Sequence, residues 1–137
     1  WFIPHVTVYL FSYALLACPF LLALAGRVNP SLNVLPAIDT LCRAGLSFFT
    51  AGMLLGALWA KQAWGDYWSW DPKETWAAVT WLLYVLYFHL KEIRPGAKKM
   101  IFISLILAFL SLQICWYGLQ YLPSARGSMH NYALNTD

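Results

Sequence analysis

Residues 2–26 run for 25 positions without a formal charge, and residues 100–122 repeat the pattern near the other end of the chain. At about 1.5 Å of rise per residue, roughly 20 helical residues cross a ~30 Å hydrocarbon core. Lipid offers no partner to an open backbone, so runs of this kind are expected to be helices. Pro19 lies inside the first run, and membrane bundles tolerate a proline there. Composition agrees, with 61 % apolar and 11 % charged residues against roughly 25 % charged in soluble domains. A disordered chain or a nucleic-acid partner is thereby excluded, and there is too little charge to cover a soluble surface. A bilayer is the expected solvent.

The middle of the chain divides less sharply. Arg27 to Arg43 is polar and carries Asn29-Pro30 and Pro36 as breakers. Residues 44–60 form a shorter apolar run rich in small residues (Gly45, Ala51, Gly52, Gly56, Ala57), which let membrane helices approach closely. Asp71-Pro72-Lys73-Glu74 reads as a helix start: Asp71 caps, Pro72 suits the first position, and Glu74 closes a capping box. Pro95-Gly96 stops that helix within the basic stretch Lys91 to Lys99. The expected fold is an all-α integral membrane domain over 1–137. Its four transmembrane helices are expected near 2–26, 44–60, 72–90 and 100–122, with a tryptophan-rich loop facing outward between the second and third.

Charge sets the expected orientation. Loops 27–43 and 91–99 hold Arg27, Arg43, Lys91, Arg94, Lys98 and Lys99, whereas the opposite side holds Lys61, Lys73 and Arg126. The basic loops are therefore expected on the cytoplasmic side, and both termini and residues 61–71 on the outer side. The chain opens at Trp1 with no basic n-region or cleavage site, so a segment of a longer protein without a signal peptide is expected. Cys18, Cys42 and Cys115 are far apart and form no Cys-x-x-Cys. Neither a disulfide framework nor covalent haem attachment to this chain is expected.

Six of the eight tryptophans lie between 59 and 81. An interfacial aromatic belt accounts for Trp59 and Trp81, one near each span end. Trp64, Trp68 and Trp70 crowd one short connection with Gly65, Asp66 and Asp71, where a flat apolar surface also suits a planar ligand or a docked partner. The histidines add to this. His5 opens the first span and His130 follows the fourth, so in this topology both share the outer face with the tryptophans. Two neutral imidazoles there can ligate a haem iron, or they can be unrelated interfacial histidines. His89 ends the third span. It reads either as a cation at a helix C-terminus or as a ligand within the membrane.

The segment Trp64-Gly65-Asp66-Tyr67-Trp68-Ser69-Trp70-Asp71-Pro72-Lys73-Glu74-Thr75-Trp76-Ala77 resembles the tryptophan-rich WWD motif of haem-handling membrane proteins that serve cytochrome c maturation. The continuation from Asp71 to Trp76 is similar to the CcsA (ResC) branch, the haem-handling half of the System II cytochrome c synthase. Further similarities are Trp1 to Val6 with His5, Ile38-Asp39-Thr40-Leu41 before Arg43, and Met129-His130-Asn131-Tyr132. The resemblance thus runs from residue 1 to about 132.

The resemblance implies that His5 and His130 ligate haem b at the outer surface while Trp64, Trp68, Trp70 and Asp71 hold it. It implies a possible inner haem site at His89, whose partner ligand lies on a helix outside this chain. It also implies haem presentation for thioether attachment to the Cys-x-x-Cys-His segment of apocytochrome c, as part of a holocytochrome c synthase (haem lyase). A second subunit or fused domain of the CcsB/ResB type would complete that synthase, in a bacterial inner membrane or a thylakoid membrane. No residue reads as a covalent nucleophile. Two rival readings are an electron-transfer b-type cytochrome anchor and a non-catalytic scaffold that binds a partner through the tryptophan loop.

Overall fold

The apolar runs fold as helices, and most of them continue into polar sequence. The computed structural model describes residues 1–121, within which the order is α1 (Phe2–Val28), α2 (Leu35–Trp64), α3 (Pro72–Ile93), α4 (Lys98–Trp116) and a 3-10 turn, Gly118–Tyr121. No strand occurs among the described residues. Helices α1, α2 and α4 are long and apolar enough to cross a membrane. Helix α3 carries Lys73 and Glu74 at its start and Lys91 and Glu92 at its end. Its uncharged stretch, 75–90, covers about 24 Å, short of the ~30 Å core.

The largest departure from the sequence-based bounds is the start of α2. The stretch 27–43 is expected as a loop, yet the helix begins at Leu35 and leaves only Asn29 to Val34 outside. Pro36 lies in the first turn of α2, where its missing N–H has no intrahelical partner to lose. The polar residues that made the segment look loop-like find partners in α3. Asp39 accepts from the Tyr87 hydroxyl at 2.7 Å and pairs with Lys91, and Arg43 lies 5.0 Å over the Phe88 ring. At its other end α2 runs to Trp64 and stops at Gly65, whose φ of 90° closes the helix in the left-handed region. The tryptophan loop therefore spans 65–71 rather than 61–71.

The four helices pair as two antiparallel hairpins. The most extensive contacts join α1 to α2 and α3 to α4, with thinner contacts between hairpins. Small residues on α2 explain the first pairing. A Cβ at Gly45 would come within 2.6 Å of Leu16, one at Gly52 within 2.4 Å of the Tyr9 ring, and one at Gly56 within 2.7 Å of His5. Without those carbons the backbones approach closely. Polar side chains stitch the interior: Ser12 donates to the Gly45 carbonyl and Tyr84 to the Leu16 carbonyl, and Thr80 bonds Ser111. In an apolar medium such groups need partners to be buried at acceptable cost. Leu16, Cys42, Phe49, Tyr84 and Ala108 form the buried centre.

This pairing gathers the start of α1, the end of α2, loop 65–71, the start of α3 and the end of α4 at one end of the bundle. The Arg27, Arg43, Lys91 and Arg94 positions gather at the other.

Candidate functional site

The loop is held by the helix that follows it. Asp71 is the N-cap of α3 and accepts from the Lys73 amide at 2.9 Å, and Glu74 completes the capping box. One carboxylate oxygen, Glu74 Oε2, accepts from the amides of Ser69 (2.8 Å) and Asp71 (3.2 Å). Two amides flanking one residue converge on a single anion only if that residue turns the chain sharply. Trp70, between them, has φ 59°. The left-handed region costs a residue with a side chain about 1–2 kcal/mol. The Thr75 hydroxyl, bonded to the Trp70 carbonyl at 3.2 Å, helps to hold it there. Both Asp71 and Glu74 are buried.

Between the hairpins, under this loop, lies a cavity of about 390 Å³, within the ~300–1,000 Å³ range of ligand pockets. His5 and Gly56 face it from the first hairpin with Trp59, Trp68 enters from the loop, and Lys73 and Trp116 close it from the second hairpin. His5 is seated firmly. Its Nδ1 lies 2.8 Å from the Gly52 carbonyl, and its ring stacks on Trp59 with centroids 6.0 Å apart and planes 21° apart. Trp59 in turn meets Trp64 edge-on at 4.8 Å and Phe2 at 5.0 Å. Trp68 Nε1 is buried without a hydrogen-bond partner among the described residues. Left unsatisfied, such a donor costs about 1–3 kcal/mol.

Residues 1–125 match the family described as cytochrome C assembly protein. The chain belongs to that family. Similar proteins include the cytochrome c biogenesis protein CcsA of Chlamydomonas reinhardtii, 34 % identical over 145 residues covering 96 % of this chain and 40 % of that protein. CcsA of Pyropia yezoensis is 42 % identical over 105 residues, 74 % of this chain and 32 % of its own length. CcsA of Manihot esculenta is 45 % identical over 93 residues, 66 % of this chain and 28 % of its own. The chain spans less than half the length of these relatives.

In this cytochrome c assembly chain the residues singled out from sequence separate into several places. His5 and Trp68 share the cavity wall. Trp64 lies behind it against Trp59. Trp70 is 71 % exposed and meets Trp68 edge-on at 5.9 Å. Asp71 is a capping residue with its side chain turned to the α3 backbone. His89 is exposed at the opposite end of the bundle, beside a second cavity of about 530 Å³ shared with Arg43, Lys91 and Glu92. His130 lies outside the described residues. Lys61 donates to the Gly65 carbonyl at 2.5 Å and lies over the Tyr67 ring, so it secures the α2 end.

Sequence reasoning missed part of the wall. Trp59, read as a belt residue, stacks on His5, and Trp81 donates to Thr50 at 2.9 Å inside the bundle. Gly52 and Gly56 had a legible signal, the small-residue pattern of α2, but not a legible target. Lys73 lay inside the tryptophan-rich motif but read only as part of a helix start, and Trp116 carried no signal that separates it from ordinary helix-end residues.

Proposed function

We propose that the chain is a haem-handling component of a cytochrome c synthase, acting in cytochrome c biogenesis. The observation that carries the proposal is the cavity under the tryptophan loop with His5 on its wall. The wall suits haem in three respects. A Gly52 carbonyl on Nδ1 leaves the imidazole lone pair on Nε2, the arrangement usual for a metal-ligating histidine. Aromatic rings match a flat macrocycle. Trp68 Nε1 and Lys73 offer a donor and a cation to propionate carboxylates.

In this reading haem b is cargo rather than a resident cofactor, and His5 and His130 are its axial ligands at the outer face. Trp68 holds one part of the ring system, and Trp64, Trp70 and Asp71 act around it, Asp71 by fixing the loop. Haem bound in this way presents its vinyl groups to the thiols of a Cys-x-x-Cys-His segment of apocytochrome c. Proximity and orientation are what the site contributes to thioether formation. The substrate's own histidine then displaces one axial ligand and permits release. His89 serves an inner haem site whose second ligand comes from outside this chain.

The proposal includes a second synthase subunit or fused domain, a bacterial inner or thylakoid membrane, and four spans within one membrane domain. It places the basic ends inside and the loop outside, following the charge asymmetry. An electron-transfer cytochrome predicts facing histidines deep in the bundle, whereas His5 and His89 sit near opposite ends, so that rival gains no support here. The test is holocytochrome c yield in cells carrying His5→Ala with His130→Ala. Loss of covalently attached haem is expected, and a normal yield from the double variant would overturn the proposal.

A further inference from the structure

His5 occupies its place only because α2 has no side chains there. The Gly56 position is tight against the imidazole edge: an added Cβ would lie 2.7 Å from Cε1 and 2.8 Å from Nδ1, but 3.5 Å from Nε2. The Nδ1 edge therefore faces α2 and the Nε2 atom is turned away from it. One turn earlier on the same face, Gly52 supplies the carbonyl that lies 2.8 Å from Nδ1. A carbonyl only accepts, so Nδ1 carries the hydrogen and the neutral ring keeps its lone pair on Nε2. The stacked Trp59 ring bears on the face of the same imidazole. Gly45, farther along the same face, packs against Leu16 and Leu15 instead.

We infer that the Gly52–Gly56 turn of α2 is the positioning device of His5: it selects Nε2 as the iron-facing nitrogen and fixes the plane of the ring. The inference rests on the reading of His5 as a haem ligand and adds what tunes that ligand. Donation from Nδ1–H to a carbonyl makes Nε2 a stronger electron donor. A stronger axial donor stabilises ferric over ferrous iron and lowers the reduction potential. Any change that breaks the Nδ1 bond while leaving His5 in the chain raises that potential. Gly52 and Gly56 are thus positioning residues, since a glycine has no side chain to offer a metal and both meet the His5 ring.

The test uses the full-length protein purified from membranes with its haem. Gly56→Ala forces the Nδ1 edge away from α2, so a mixed-spin spectrum and a raised midpoint potential are expected, with added imidazole restoring the low-spin Soret band. Gly45→Ala crowds Leu16 in the same interface without touching the ring. It is expected to keep the wild-type spectrum and potential even where thermal stability falls. Should Gly56→Ala not accumulate, replacing His5 by its Nδ1-methyl derivative removes the same hydrogen bond with α2 intact, and the same rise in potential is expected. A wild-type potential in Gly56→Ala or in the methylated protein overturns the inference, as does an equal shift in Gly45→Ala, which would reduce the glycines to packing. Wild-type low-spin haem in His5→Ala is a different failure: it removes the haem-ligand reading itself, and the inference falls with it.

Discussion

Trp68 and Trp70, two positions apart, illustrate how little residue type alone decides. Trp68 buries its indole nitrogen on the cavity wall, while Trp70 stands 71 % exposed on a left-handed backbone. The difference comes from Glu74, whose carboxylate draws in the amides on both sides of residue 70. Trp68→Phe keeps the ring and deletes the donor. If that donor meets a ligand carboxylate, haem affinity drops by about 1.5–3 kcal/mol, roughly tenfold to a hundredfold, with thermal stability unchanged or raised. A haem titration beside a melting curve checks both halves, and an unchanged affinity would return Trp68 to a packing role. Trp70→Gly relieves the left-handed strain. Its melting temperature is expected to hold or rise, and a loss above about 1 kcal/mol would contradict the strain account.

Among the elements, the start of α3 was the most legible from sequence and the start of α2 the least. Asp71, Pro72 and Glu74 perform the capping roles that their order implies, because a cap is a local interaction completed within four residues. The α2 start depends instead on α3, where Tyr87 and Lys91 receive Asp39 from 48 and 52 positions away. No local pattern announces that pairing, so a polar stretch with two prolines read as a loop. The same limit governed the site. The tryptophan cluster was visible at once, but which rings line a cavity depends on the hairpin register and on the turn at Trp70. Glu74→Gln weakens the anion at the centre of the loop. It is expected to cost about 1–3 kcal/mol as the buried amides of Ser69 and Asp71 lose a charged acceptor. Faster hydrogen exchange confined to 65–71 would mark the effect, and protection equal to wild type would show that the loop is held by other contacts.

For the whole molecule, the two hairpins meet around the cavity at one end and are clasped at the other by Asp39, Tyr87 and Lys91. The clasp is about one-quarter exposed at both charges, 28 % each, between the surface pairs worth ~0.2–1 kcal/mol and the buried pairs that cost ~3–5 kcal/mol to break singly. Asp39→Asn and Lys91→Met are each expected to cost about 1–2 kcal/mol, and a double-mutant cycle on thermal unfolding is expected to show coupling above ~0.5 kcal/mol. Additive losses would mean that the hairpins are joined by packing alone. With the hairpins so held, the cavity at the far end keeps His5 on its wall, and in the proposed function that imidazole is the side chain on which haem handling turns. The absorption spectrum of the purified protein under haem-replete conditions tests this most directly, wild type against His5→Ala. The account predicts a low-spin Soret band in the wild type that is lost or shifted to high spin in the variant. An identical spectrum in the two proteins, or no Soret band in the wild type, would contradict it.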